Sequence, residues 1–232
     1  MPTRVWPTLV TQAMNYAAKT TSVALQGPTS LPTNPDGMAN SALVQAQASL
    51  YRVSLFHCPS PLPVNNPGVG TGTCGAMAAI YGGFSGHAWP SVAAAVQAVA
   101  PPSPPAACST TSQVSIGAGT VATVFSSQAS QVACEVAWKL NGWHIQLTGD
   151  LGGGIAGDGS IPWRQVATAI VTYLGTHPLP NGSGLLNCDI APDGLHTSLK
   201  WAVGSDVYGA TFAHGATQAI SLAGSFSSYT GS

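Results

Sequence analysis

The sequence predicts an α+β fold in which a hairpin-rich antiparallel sheet carries helices packed on one face. Three observations predict it: a tight hairpin at Asn141-Gly142, an amphipathic helix after it, and three alternating strand patterns that precede a last helix. An order of two strands, helix, three strands and helix is typical of a sheet that helices cover on one side.

The hairpin lies in the segment "CEVAWKLNGWHIQLTG", residues 134–149. Asn-Gly between two alternating runs is the strongest short-range hairpin signal, because both residues tolerate the positive φ angles of a two-residue turn. Pairing across that turn puts polar side chains on one face: Lys139, His144 and Gln146. It puts apolar side chains on the other face: Val136, Trp138, Leu140, Trp143, Ile145 and Leu147.

The helix after the hairpin is predicted from its caps and its spacing. Ser160 suits the N-cap, Pro162 is tolerated in the first turn, and Gly175 with Pro178 ends the helix. Its apolar stripe consists of Trp163, Val166, Ala167, Ile170, Val171 and Leu174.

The same patterns place the remaining elements. Alternation predicts strands at 51–56, 185–190, 195–203 and 207–213, and composition predicts helices at 91–100 and 215–226. A first helix is predicted from the spacing of Val5, Leu9, Ala13, Tyr16 and Ala17.

A proline cluster, "PPSPPAAC" at 101–108, marks a candidate domain boundary, since it cannot continue a helix. It separates an N-terminal helix and strand segment, 1–105, from an antiparallel α+β unit, 106–232. A surface connection within one continuous domain fits the same composition.

The composition bounds the function. Of 232 residues only 6% are charged, against about 25% in a typical domain, and the net charge is −1. Without a Lys/Arg cluster the sequence does not favour a nucleic-acid surface. The small number of titratable groups is consistent either with an exported protein that meets acid or with simple compositional drift in a secreted protein.

The sequence contains no apolar run of about 18 residues, so it predicts no membrane span. The first residues lack a signal-peptide core, which fits a mature chain without its leader.

Five cysteines predict disulfides and an extracellular or cell-surface location. Cys58 and Cys74 bracket a Pro/Gly-rich loop, which a bridge would stabilise by about 3 kcal/mol. Cys108 with Cys134 is the next pair and leaves Cys188 over. Cys134 with Cys188 is the competing pair, and five buried thiols are the alternative to any bridge.

Residues near the C-terminus follow a pattern of W-x-x-G-x-x-V-Y and a helix rich in A-x-S: Trp201, Gly204, Val207, Tyr208, Ala219, Ser221 and Ser225. On the basis of this pattern, the last hundred residues or so resemble exported, largely uncharacterised cell-surface proteins of Gram-positive bacteria. The resemblance implies an envelope or extracellular location and a non-catalytic module, and it brings no catalytic residues.

The glycine-rich tract 148–163 fits no ligand motif well. It lacks the lysine of a phosphate-binding loop, and its G-x-G-x-x-G at 152–157 follows a hairpin strand rather than opening a βαβ unit. Asp150 and Asp158 are too few for a calcium loop. We interpret the tract as a flexible joint between hairpin and helix.

Candidate catalytic groups are few. Ser85 and His87 in "GGFSGH" miss the register of the esterase elbow. Glu135 and Asp189, on predicted polar strand faces, form the best acid/base couple. The competing interpretation is a solvated or ion-paired strand face near Lys139 and Lys200.

Six histidines show no metal-ligand spacing, so neither a metal nor another cofactor is predicted. His144 and His196 both fall on polar strand faces. The tryptophans at 138, 143, 163 and 201 are predicted in the core. An exposed loop with Tyr81, Phe84 and Trp89 is the predicted ligand-binding surface, together with the hairpin face around His144.

The sequence therefore favours an exported or cell-surface, non-catalytic binding or structural module. Its partner would be a cell-wall polymer, a polysaccharide or another envelope protein, and not nucleic acid. The alternative is a secreted, acid-tolerant, glycosidase-like hydrolase that uses Glu135 and an Asp. A third hypothesis is an envelope protein that only assembles.

Overall fold

The computed structural model describes residues 6–33, 37–74, 80–130, 132–149, 151, 162–213 and 215–230. The helices are α1 (Thr8–Ala17), α2 (Val92–Ala98), α3 (Trp163–Leu174) and α4 (Ala216–Gly224), and a short 3-10 helix spans Gly72–Cys74. The strands are β1 (Gln26–Pro28), β2 (Ala39–Gln47), β3 (Leu50–Cys58), β4 (Ile80–Ala88), β5 (Thr110–Gly117), β6 (Thr120–Ser126), β7 (Ala133–Leu140), β8 (Trp143–Gly149), β9 (Gly184–Ala191), β10 (Gly194–Val203), β11 (Asp206–Phe212) and β12 (Phe226–Ser228).

Ten of these strands form one sheet, in the order β2-β3-β4-β11-β10-β9-β8-β7-β6-β5, and β1 pairs with β12 separately. The expected α+β class is confirmed, but the expectation of a purely antiparallel sheet is wrong. Strands β8 and β9 are parallel neighbours. The chain leaves β8, passes through α3 and returns in β9, because parallel neighbours need a crossover rather than a tight turn.

Strands from both sides of the proline cluster belong to this sheet. β4 pairs with β11 along its length, from Gly82 opposite Phe212 to Ala88 opposite Asp206. The main buried cluster likewise contains Tyr51 from the first segment and Trp201 from the second.

The sheet has two different faces. Its core face carries the buried side chains of Tyr51, Trp201 and Tyr208, which share one cluster with the buried residues of α1, α3 and α4. We call the other side the open face. Helix α2 lies there, since its Ala95 and the C-cap residue Val99 pack with Val207. The buried residues of α1, α3 and α4 thus share the main cluster, whereas Ala95 of α2 belongs to a separate cluster with Val207.

The hairpin prediction is confirmed in detail. Leu140 pairs with Trp143, Trp138 with Ile145 and Val136 with Leu147. Trp138, Trp143 and Trp201 are buried, whereas Trp163 at the start of α3 is only half-buried.

Helix boundaries and faces differ in detail from the prediction. Val166, Ala167, Ile170 and Val171 form the buried stripe of α3. Pro162 is the N-cap rather than a first-turn residue, and Ser160 lies outside the described residues. In α1 the buried stripe contains Val10 and Met14, while Tyr16 is 44% exposed.

The segment from Tyr81 to Trp89 is strand β4 and its end, so the exposed loop predicted there is wrong. The glycines of this segment are typical of a loop, but in the strand each of Gly82, Gly83 and Gly86 has a neighbouring group too close to leave room for a side chain. A Cβ atom on Gly83 would lie 2.5 Å from the carbonyl oxygen of Val53. Glycine inside a strand often marks such a close approach.

Two of the predicted disulfides are confirmed: Cys58–Cys74 and Cys108–Cys134. Cys188 is a buried free thiol whose pKa burial raises to about 12. The first bridge joins β3 to the 3-10 helix and closes a loop that packs a small cluster, with Phe56 and Val69, beside β2 and β3.

Some expectations fall on residues that the structure does not describe. The glycine tract from 152 onward, with Asp150 and Asp158, is among them. Within the described ranges, no helix has both the length and the hydrophobicity that crossing a bilayer requires.

Candidate functional site

Cross-strand register arranges the side chains of the open face in rows that run across the strands. The first row, which we call the cationic row, contains Arg52, Ser85, Gly209, Lys200, Leu185, His144 and Lys139. It holds three of the six Lys and Arg residues of the chain. In a chain with so few charges, this row brings half of the Lys and Arg side chains into one line across the open face.

Two further rows follow along the strands. A neutral row contains Ser54, Gly83, Thr211, Ser198, Asn187, Gln146 and Ala137. In it Gln146 Nε2 donates a hydrogen bond of 2.9 Å to Asn187 Oδ1. The last row brings His196 opposite Asp189 and Asp189 opposite Thr148. Because Val136 pairs with Leu147, the register sets Glu135 next to Thr148 at the end of this row.

A groove of about 530 Å³ lies over β3, β4, β11 and β10. The small residues Gly83, Ser85 and Gly209 lie between two exposed cations, Arg52 and Lys200. Trp89 and Ala98 line it on the side of α2, and Ile80 lines it where β4 begins.

A second, smaller groove of about 250 Å³ continues the first. Both are lined by Ser198 and Thr211, and the second extends to Asn187, Asp189 and His196. Together they cross β3, β4, β11, β10 and β9. Four strand spacings give this trough a length of about 19 Å.

The charges along the trough are unevenly compensated. His196 Nε2 lies 2.9 Å from Asp193 Oδ1, a contact that is an ion pair when the histidine is protonated. Neither Arg52 nor Lys200 has a described carboxylate within ion-pair distance. Two exposed cations in the trough are thus available to an incoming anionic group.

The predicted aromatic site is divided between the two sides of the sheet. Tyr81 and Phe84 are buried on the core side, and the Tyr81 hydroxyl donates a 2.6 Å hydrogen bond to Asn40 Oδ1. Phe84 nevertheless contributes to the lining of the groove, and ligand binding by these two residues stays a prediction. Trp89 lines the groove, its ring 5.0 Å from that of His87, and its buried Nε1 has no described acceptor.

His144 lies on the polar hairpin face as expected, but it does not line the described grooves. It is half-buried, and neither ring nitrogen has a described hydrogen-bond partner. Burial, and then the charge of Lys139, lowers the pKa of His144 below its ordinary value. The neutral ring is thus the favoured form in the folded protein.

The predicted couple Glu135 and Asp189 lies on one face of the sheet, on either side of β8. Two strand spacings separate them, about 10 Å between backbones. Asp189 Oδ1 accepts a 3.1 Å hydrogen bond from Thr148. Such a separation is compatible with the carboxyl spacing of inverting glycosidases, about 6.5–9.5 Å between the acid groups.

Glu135 is not the solvated or ion-paired residue that the competing interpretation expected. It is 3% exposed, and its carboxyl group has no hydrogen-bond donor or cation partner among the described residues. Lys139 is four residues further along the same strand, about 13 Å away. Burial therefore raises the pKa of Glu135 above its ordinary value.

Replacing Glu135 with Gln is expected to stabilise the fold at neutral pH. Because the folded pKa is raised, the contribution of Glu135 to stability is greatest below its ordinary pKa of 4.5 and is lost as pH rises through the folded pKa. Urea unfolding of both proteins from pH 4 to pH 8 should show the variant's advantage growing as pH rises through the folded pKa of Glu135.

His144 changes stability in the opposite direction, since its lowered pKa removes stability as pH falls below 6.5. Both proteins contain His144, so the difference between them isolates Glu135. A difference that stays constant across the pH range would mean that the carboxyl group is already compensated.

Other sequence candidates do not assemble into a site. Ser85 and His87 both lie on the open face of β4, but neither has a described hydrogen bond that would couple them. Among the described residues, no three His, Cys, Asp or Glu side chains come together as metal ligands would.

Sequence reasoning missed Arg52 and Lys200 as partners. Each is a single charge on an alternating strand, and only the order β3-β4-β11-β10 brings them to one groove. The one available signal was the scarcity of cations in the chain.

Comparison of the chain with models of protein families, with curated proteins and with solved structures gives no significant match.

Proposed function

We propose that the protein is an exported, non-catalytic binding module whose ligand lies in the trough on the open face. The observation that carries the proposal is the groove of about 530 Å³ between Arg52 and Lys200. The groove is concave, small residues form its floor, and its two cations have no described carboxylate partner. These are features of a ligand site. An envelope location also agrees with the resemblance to exported Gram-positive proteins.

Export is supported by the covalent structure. Four of the five cysteines form two disulfides. Such bridges form and persist in oxidising compartments and are rare in the cytosol. The low content of charged residues fits a protein whose surface changes little with external pH.

Binding is favoured over catalysis by the position of Glu135. A general acid has to reach the leaving group within hydrogen-bond distance. Glu135 is buried and lines neither part of the trough. The charged side chains that do line the trough at its wider end are Arg52 and Lys200, which suit recognition of a ligand rather than proton transfer.

The test is a sedimentation assay against insoluble wall and plant polysaccharides at neutral and acidic pH. Depletion of the protein without release of soluble sugar is the expected result. Thr211→Trp should weaken depletion at least tenfold, because this exposed residue lines both parts of the trough.

Thr111→Trp is the matched control, an exposed threonine on β5 outside the trough. It should bind as the wild type does. Equal binding by both tryptophan variants would place the ligand elsewhere, and no depletion by any polymer would reject a polysaccharide ligand.

A hydrolase remains the second candidate, because Glu135 combines a raised pKa with a carboxylate two strands away. That pairing resembles the acid and base of a glycosidase. Release of soluble sugar by the wild type and its loss in Glu135→Gln, with the fold retained, would support it. Sugar release unchanged in the variant would reject it.

A further inference from the structure

The charge pattern of the trough points to the chemical class of its ligand. Arg52 and Lys200 lie three strand spacings apart, about 14 Å between backbones. Ser85 and Gly209 occupy the strands between them. None of the described residues that line this wider end is acidic. A ligand lying across the strands would therefore meet two cations without competition from a protein carboxylate.

The narrower end has a different chemistry. Asn187, Ser198 and Thr211 offer amide and hydroxyl groups, and Asp189 lies beyond them. Asp189 Oδ1 accepts one hydrogen bond from Thr148, which leaves further acceptor capacity on a carboxylate. Such groups suit a ligand that presents hydroxyl groups, and they disfavour one that carries negative charge at every position.

We infer that the trough binds an acidic polysaccharide, with sugar carboxylates at Arg52 and Lys200 and sugar hydroxyls along Ser198, Asn187 and Asp189. The inference rests on the proposed binding function and adds the ligand class. Trp89 at the wide end supplies an aromatic ring beside the bound chain. The trough length of about 19 Å suits an extended polymer rather than a small anion.

A nucleic acid fits this surface less well. Its backbone carries a charge on every phosphate, and proteins that follow it use a continuous positive groove with several stacking aromatics. Here the trough has two cations, and Asp189 lies at its other end. Sugars with spaced carboxylates match that distribution more closely.

The experiment compares two soluble polymers with the same sugar backbone: polygalacturonate and its methyl ester, in which the carboxylates are neutral. Binding is measured by titration calorimetry with the wild-type protein. Polygalacturonate is expected to bind at least tenfold more tightly than the ester, and raising the ionic strength should weaken it. The double variant Arg52→Gln/Lys200→Met should remove most of this difference.

A second double variant, Arg164→Gln/Lys19→Met, is the matched control. It changes the net charge equally, at two exposed positions outside the trough. All four side chains are exposed, so the folds should be retained, which thermal unfolding verifies. Full binding by the control and weak binding by the trough variant is the expected pair of results.

Each other outcome overturns the inference in a distinguishable way. Equal affinity for the polymer and its ester, unchanged in the trough variant, would reject anion recognition and leave the binding function standing. Equal losses in both double variants would mean a general charge effect. Tighter binding of a single-stranded oligonucleotide, lost in the trough variant, would assign the trough to nucleic acid. No binding of either polymer would reject the acidic-polysaccharide ligand, and the sedimentation assay then decides whether the trough binds any other polysaccharide.

Discussion

Replacing Cys108 and Cys134 with serine is expected to lower the free energy of unfolding by about 3.5 kcal/mol. The bridge closes a loop with a sequence separation of 26 residues. Cross-linking such a loop removes conformational freedom from the unfolded chain in proportion to the logarithm of its length. The cost is large beside the total stability of an average domain, about 5–15 kcal/mol.

The position of this bridge adds a second effect. Residues 99–109 connect α2, which packs on β10 and β11, to β5 at the far edge of the sheet. Cys108 ties the end of that connection to Cys134, directly before the buried Glu135. Without the bridge, hydrogen exchange should increase in β5 and at the start of β7 more than in β3.

Urea unfolding of the serine variant measures the loss, and Cys58→Ser/Cys74→Ser is the matched comparison. Its loop is shorter, with a separation of 16, so the expected loss is about 3 kcal/mol. Alkylation of the wild type in denaturant without reductant should label Cys188 alone. Five labels, with no loss of stability in either variant, would contradict both bridges and the argument for an oxidising compartment.

Local signals predicted the elements that depend on neighbouring residues. The Asn141-Gly142 turn fixes its own register, so the pairing of Leu140 with Trp143 followed directly from the sequence. The buried stripe of α3 followed from its spacing in the same way. Strands β5 and β6 were not predicted, since β5 is an exposed edge strand with little apolar alternation.

Features that depend on sheet order could not be predicted. The parallel pairing of β8 with β9 is decided by where the chain returns after α3, and no local pattern encodes that. The trough depends on the same strand order, because Arg52 and Lys200 line one groove only when β4 and β11 lie between β3 and β10. Glu135 and Asp189 were correctly expected on polar strand faces, but the burial of Glu135 was not expected.

Replacing Gly86 with alanine is expected to destabilise the protein by about 3 kcal/mol. A Cβ atom at this position would lie 2.4 Å from a ring carbon of Tyr51, which is fully buried. Overpacking of a rigid core commonly costs 1–3 kcal/mol, and an aromatic ring with no free space around it belongs at the upper end, about 3 kcal/mol. Urea unfolding measures the loss.

The Tyr51 ring cannot move away without breaking other contacts. Its hydroxyl donates to the backbone carbonyl of Gln26 and accepts from the Gln26 N–H at 3.2 Å. These bonds hold β1, and with it β12, against the main sheet. A displaced ring would therefore leave the partly buried N–H and carbonyl groups of Gln26 without these partners, which adds to the packing cost.

Gly27→Ala is the matched control, a buried glycine where a Cβ atom would make only ordinary contacts, 3.4 Å from Val10 and 3.6 Å from Met14. Its expected change is below about 1 kcal/mol, since alanine also reduces the freedom of the unfolded chain. If Gly86→Ala were as stable as Gly27→Ala, the glycines of β4 would not be explained by close packing. The glycine-rich composition of "GGFSGH", which is typical of a loop, would then need another explanation in a central strand.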